Sequence, residues 1–174
     1  MITSPDVAEK AAALRLAFDR TFAEPARIEA DSRDALLSVL IGNEHFAIRL
    51  SDISGLHVGK KITPVPGGHP ALIGIAGFRG AILPVYRLQI LLGAVVSANT
   101  PPPRWLVIAA AAPVALAFEG FEGQRRVPHD AIVPQPALSR PYTREFVRSR
   151  KVAAAILHLP SLIETIDAAQ IETT

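Results

Sequence analysis

Two apolar runs of strand length, residues 71–78 and 81–86, meet at a single Arg79-Gly80 pair. Gly74, Gly77 and Pro84 interrupt or bound the runs, so the segment reads as two strands rather than a helix. A two-residue link between such runs predicts a β-hairpin that carries one permanent positive charge at its bend. An arginine is not buried unpaired, so Arg79 must face water, a carboxylate or another protein. The rest of the fold is constrained by how many further segments share this short, punctuated form.

Many do. Residues 36–41 are strand-like, Gly42-Asn43 supplies a turn, and 46–50 return with alternation. Residues 53–58 read as another extended segment, and the two prolines and two glycines of 62–68 make a loop. Pro70 to Ile73 reads as one helical turn, and 87–92 as a short helix ended by Gly93. Asn99-Thr100-Pro101-Pro102-Pro103 is the strongest boundary signal, read as a crossing between two halves. Beyond it, 104–110 and 114–118 are apolar strands, Gly120 and Gly123 mark a bend or bulge, and 124–127 continue extended. Residues 128–141 are loop-rich, and 146–147 with 152–157 form a last strand pair around the basic turn Arg148-Ser149-Arg150-Lys151. Ser161 and Glu164 have capping-box spacing and predict a closing helix that starts near Pro160. About nine or ten short strands predict a mainly β barrel or sandwich.

The N-terminal segment differs. Ser4-Pro5-Asp6 is a helix start, and Val7, Ala11, Leu14, Phe18 and Phe22 share one helical face. Pro25 ends the pattern. The helix either packs on its own domain or docks on a partner through its aromatic face.

The 174-residue chain buries roughly 70% of its unfolded surface and needs no metal or disulfide to fold. It has no cysteine, which removes Cys–zinc sites and Cys nucleophiles. No apolar stretch is long enough for a membrane-spanning helix, and no signal peptide is expected, so a soluble cytoplasmic protein is the expectation. The formal charge of +2 arises from basic and acidic residues that look interspersed, with no polybasic surface expected.

Catalytic motifs are absent from the sequence. Gly74, Gly77 and Gly80 are spaced G-x-x-G-x-x-G, not as a dinucleotide fingerprint, and the required helix does not follow them. His45, His57, His69, His129 and His158 lie in no metal-binding frame. No nucleophile elbow occurs, and the carboxylates are scattered. The basic turn 148–151 lacks interleaved aromatics and reads as a solvated hairpin tip. Trp105 reads as core. A binding or scaffold protein without cofactor or metal is favoured over an enzyme or small-molecule binder on a β-barrel.

The order of these features resembles the bacterial chemotaxis coupling protein family CheW. The likeness starts at residues 36–48, continues through 62–66 and peaks at 74–85 with Leu88, where the family has its Arg-Gly hairpin. Residues 114–121, 132–136 and 152–166 carry it through the second half. The resemblance implies two small five-stranded, SH3-like β-barrels sharing a core, with helices at both ends. It divides the chain into an N-terminal helical extension (1–34), a CheW-like domain (35–168, halves about 35–98 and 104–168) and a tail (169–174). It implies a non-enzymatic cytoplasmic adaptor that couples the cytoplasmic tip of methyl-accepting receptors to the regulatory domain of a CheA-type histidine kinase. Association with receptor arrays at the inner membrane would run through these partners, with no nucleic acid and no direct membrane insertion. A module that binds one partner only, or serves a motility or polarity complex, is the alternative.

Carried over by position, Arg79 and Gly80 match the signalling turn, and Gly74 and Ile53 match positions near the kinase- and receptor-binding surfaces. Phe121 takes an interface position where a smaller valine is usual. Gly77 stands where the family usually has Asn, and Arg87 stands for Asp, which reverses a charge. Glu119 and His158 both stand for Asp. Gly55 falls where some members carry an acid able to pair with the turn arginine, so Arg79 is expected to lack that partner.

Overall fold

The computed structural model describes residues 33–66, 69–97, 99–134, 142–148 and 153–171. All belong to one compact unit, Arg33–Thr174. The N-terminal helix expected over residues 5–22 lies outside the described residues, as does the tip of the basic turn at 149–151.

In chain order the elements are β1 (Arg33–Ile41), β2 (Glu44–Arg49), a 3-10 turn (Leu50–Asp52), β3 (Ile53–Val58), β4 (Leu72–Phe78) and β5 (Ala81–Arg87). There follow α1 (Leu88–Leu91), β6 (Trp105–Ala109), β7 (Ala115–Phe118), β8 (Gly120–Pro128) and a second 3-10 turn (His129–Ala131). The chain then forms β9 (Ile132–Pro134), β10 (Thr143–Val147), β11 (Ala154–Leu157) and α2 (Leu159–Ile171). The strands make a six-stranded sheet, β8-β1-β2-β11-β10-β9, and a five-stranded sheet, β3-β6-β7-β5-β4. The mainly β class with few helices is as expected, and the three-residue β9 brings the first sheet to six strands.

Hydrophobic patterning explains how the sheets meet. Along β7, Ala115 and Ala117 feed one core cluster, while Leu116 and Phe118 feed another. Both faces of this strand are buried, which is why its sequence is continuously apolar rather than alternating. Leu36 of β1 likewise faces a cluster with Ala47, Val147, Ala154 and Ile156, while Leu37, Val39 and Ile41 join Tyr86, Val107, Leu116 and Phe118 of the other sheet. Each sheet thus has its own small core, and a larger shared cluster joins the two. Helix α2 closes the shared cluster with Leu159, Leu162, Ile163 and Ile166, at spacings of three, one and three. Burying each large side chain contributes roughly 1.5–3 kcal/mol.

Four details differ from the sequence reading. The 101–103 proline run connects α1 to β6, and β5 and β6 belong to the same sheet, so the halves 35–98 and 104–168 do not coincide with the sheets. Leu72 and Ile73 are strand rather than helical turn, because a bulge between Leu72 and Gly74 lets β4 begin early against Tyr86. Helix α2 begins at Leu159, and Ser161 lies within its first turn. His158 caps it instead: its Nδ1 accepts the Ser161 N–H at 3.3 Å and contacts Ser161 Oγ at 2.8 Å. The same helix continues to Ile171, past the expected start of the tail at 169.

Candidate functional site

The hairpin of β4 and β5 pairs Phe78 with Ala81, leaving Arg79 and Gly80 as a two-residue turn. Arg79 has φ +46° and Gly80 φ +88°. Positive φ at both central residues is the type I′ geometry that matches the twist of a hairpin. Gly80 adopts it freely, whereas an arginine there costs about 1 kcal/mol of backbone strain. Both residues are exposed. Among the described residues, Arg79 has no hydrogen bond or ion pair.

Beside it lies a concavity of about 310 Å³, lined by Gly55, Leu56, His57, Phe78, Arg79 and Leu83 among others. The His57 ring packs tilted on the Phe78 ring with centroids 5.0 Å apart. Lys60 Nζ stands 5.6 Å from the same ring's centroid. His57 titrates below the ordinary histidine value, through desolvation first and then the charges of Lys60 and Arg79. The absence of a side chain at Gly55 keeps the floor open, since a Cβ there would lie 3.2 Å from His57 Nε2.

The other candidate positions each make packing contacts. Gly74 is buried with φ +145°, and a Cβ would fall 2.3 Å from the Thr63 carbonyl oxygen. The close approach holds the 62–64 segment to β4 through the Thr63–Ile75 bridge. Gly74 therefore offers no side chain to a partner. Ile53 begins β3, is partly buried on the shared core and does not line the concavity. Phe121 is half-buried against Trp105, with ring centroids 5.0 Å apart.

Arg87 is an internal residue. Its Nη2 donates to Glu119 Oε1 at 2.9 Å and to the Pro101 carbonyl at 2.8 Å. Both side chains are nearly buried, with 11% and 6% of their surface exposed. Glu119 Oε2 also accepts the Gly42 N–H at 2.9 Å. Glu119 sits where the chain passes from β7 to β8, so this network ties the end of β5 to the β1–β2 turn across the two sheets. The charge reversal at Arg87 is matched inside the molecule.

Sequence reasoning missed His57 and Lys60 as companions of Arg79, although a signal was available. No Asp or Glu occurs between Asp52 and Glu119, while Lys60, Lys61, Arg79, Arg87 and Arg104 do. That acid-free window spans the whole five-stranded sheet, β3 to β7. The overall charge of +2 averages it away.

Comparison with known proteins gives a consistent outcome. The family model "CheW-like domain" matches residues 35–167. Among solved structures, the scaffolding protein TtCheW from Thermoanaerobacter tengcongensis matches with a TM-score of 0.64 and 15% identity, covering 72% of this chain and 88% of that one. At that identity the match speaks for the fold. The search of curated proteins finds no match.

Proposed function

This chain belongs to the CheW family, and from that premise we propose that it is an adaptor coupling methyl-accepting receptors to a CheA-type histidine kinase. The family consists of scaffold proteins rather than enzymes, which supports a role exerted through protein–protein contacts alone. The observation that carries the reading is Arg79, a charged residue kept in a left-handed turn with no partner among the described residues. Strain held at an exposed, charged position is a recurrent mark of a functional contact.

In this reading the Arg79-Gly80 tip orients a partner while neighbouring apolar surface supplies affinity. Gly74, Ile53 and Phe121 act by shaping that surface: Gly74 sets the hairpin against residues 62–64, and the other two pack the sheet from within. The protein would work in the cytoplasm at receptor arrays. No helix among the described residues is long and apolar enough to cross a membrane, so attachment would run through partners. A co-precipitation of the full chain with the kinase regulatory domain and with the receptor tip tests the reading. Binding to both is expected, weakened by Arg79→Ala; binding to neither contradicts it.

A further inference from the structure

We propose that the concavity beside Arg79 receives one carboxylate side chain from the surface of a partner protein, clasped by the Arg79 guanidinium with Lys60 and His57 flanking it. The inference rests on the adaptor reading above and adds the chemistry of what is bound.

Charge complementarity carries the argument. The sheet that builds the concavity contains no acidic residue in any strand. Carboxylates outside that sheet are engaged elsewhere: Asp34 and Glu145 with Arg49, Glu119 with Arg87 and Gly42, Glu122 with His45. An arginine fork matches a carboxylate in two parallel hydrogen bonds, and such charge-assisted bonds are stronger than neutral ones. Leu56, Phe78 and Leu83 line the site with apolar surface that suits the stem of an Asp or Glu side chain. Nucleic acid fits less well, because it is held by a track of phosphate contacts rather than one fork in an apolar hollow.

Proton linkage follows. The charged groups that face His57 are Lys60, after β3, and Arg79, on the β4–β5 turn. β6, its antiparallel neighbour, carries no titratable group. Histidine in this setting is neutral near pH 7, and an arriving carboxylate favours its protonated form. The complex then takes up a proton, so affinity rises as pH falls through the histidine range and declines as pH rises.

The test has two arms, both on the full chain. In the first, the isotopically labelled protein is titrated with acetyl-Ala-Glu-Ala-amide, its Gln counterpart, inorganic phosphate and a single-stranded RNA oligonucleotide. The His57 ring and the Arg79 Nε–H resonances are followed by NMR. The Glu peptide is expected to shift both resonances and move the His57 titration upward, while the Gln peptide does neither. Arg79→Ala at the exposed turn and Gly55→Asp, which supplies a carboxylate from within, should each abolish the response. Arg104→Ala, a charge lost outside the concavity, should leave it intact. Equal response to both peptides, no response to either, or a stronger response to phosphate or RNA overturns the assignment. In the second arm, affinity for the kinase regulatory domain and receptor tip is measured from pH 6 to 8. Binding that tightens toward pH 6 and weakens about tenfold in Gly55→Asp supports the proposal. Binding unaffected by either overturns it and leaves the adaptor reading standing. Failure to bind either partner contradicts the adaptor reading, and the peptide arm then decides the pocket.

Discussion

Arg79 lies just before strand β5 and Arg87 ends it, and their surroundings differ in every respect that decides what an arginine does. Arg87 is nearly buried, and its guanidinium bonds a carboxylate and a backbone carbonyl that belong to distant parts of the chain. Arg79 is exposed, sits at φ +46° and bonds nothing among the described residues. One residue type therefore does two jobs. At the inner end of the strand it joins two sheets, and at the outer end it is held out toward whatever the protein meets. The difference extends to the sheets themselves. The six-stranded sheet pairs charges internally, with Arg49 bridging Asp34 and Glu145, whereas the five-stranded sheet has no acidic residue in its strands and carries Lys60, Lys61, Arg79 and Arg104 on its turns and connections, with no ion pair among the described residues.

The strongest way to break this comparison is at Arg87. Arg87→Ala or Glu119→Ala should each destabilise the fold by about 3–5 kcal/mol, since either leaves a buried charge unpaired. Urea unfolding measures it. Replacing both by Met and Leu should recover most of the loss, and a single-variant cost below about 1 kcal/mol would mean that the pair is not structural. Next in size is Gly74→Ala, which drives a Cβ onto the Thr63 carbonyl and should cost about 2–3 kcal/mol with no change of charge. Thermal denaturation would detect it, and a neutral outcome would imply that the 62–64 segment is free to move away.

Arg79→Asn should act in the opposite direction. Asn-Gly suits a type I′ turn, so the variant should be as stable as the parent or gain up to about 1 kcal/mol. The smallest effect is the pH dependence of His57. Its folded-state pKa lies below the ordinary value, so the unfolded chain takes the proton first as pH falls below about 6.5. Stability should therefore slip as pH falls through the histidine range until folded His57 is also protonated. The corresponding slope should be absent in His57→Asn, read as the pH dependence of the denaturation midpoint.

How much of this was legible in the sequence depended on the distance between partners. The hairpin was readable because its evidence is local: two apolar runs and an Arg-Gly link. The turn at Gly42-Asn43 and the bulge near Gly123 were equally local. The Arg87–Glu119 pair joins residues 32 apart through a fold the sequence does not display, so Arg87 read only as a reversed charge. The Ser161–Glu164 spacing imitates a cap, yet the ring of His158 does the capping, a role that spacing rules seldom assign to histidine. The resemblance put Gly74 near an interface, but its packing role was not legible, because its burial depends on the approach of residues 62–64, which no pattern predicts. The acid-free window was legible in principle, but only when charge is counted over the segment that becomes one sheet rather than over the chain.

The central claim is that Arg79 serves binding and Arg87 serves folding. Isothermal titration of Arg79→Asn against the kinase regulatory domain and the receptor tip, beside its melting temperature, tests this most directly. The account predicts a fold at least as stable as the parent and binding weakened about tenfold or more toward a partner that uses the hairpin tip. Full affinity for both partners in a stable Arg79→Asn protein would contradict it.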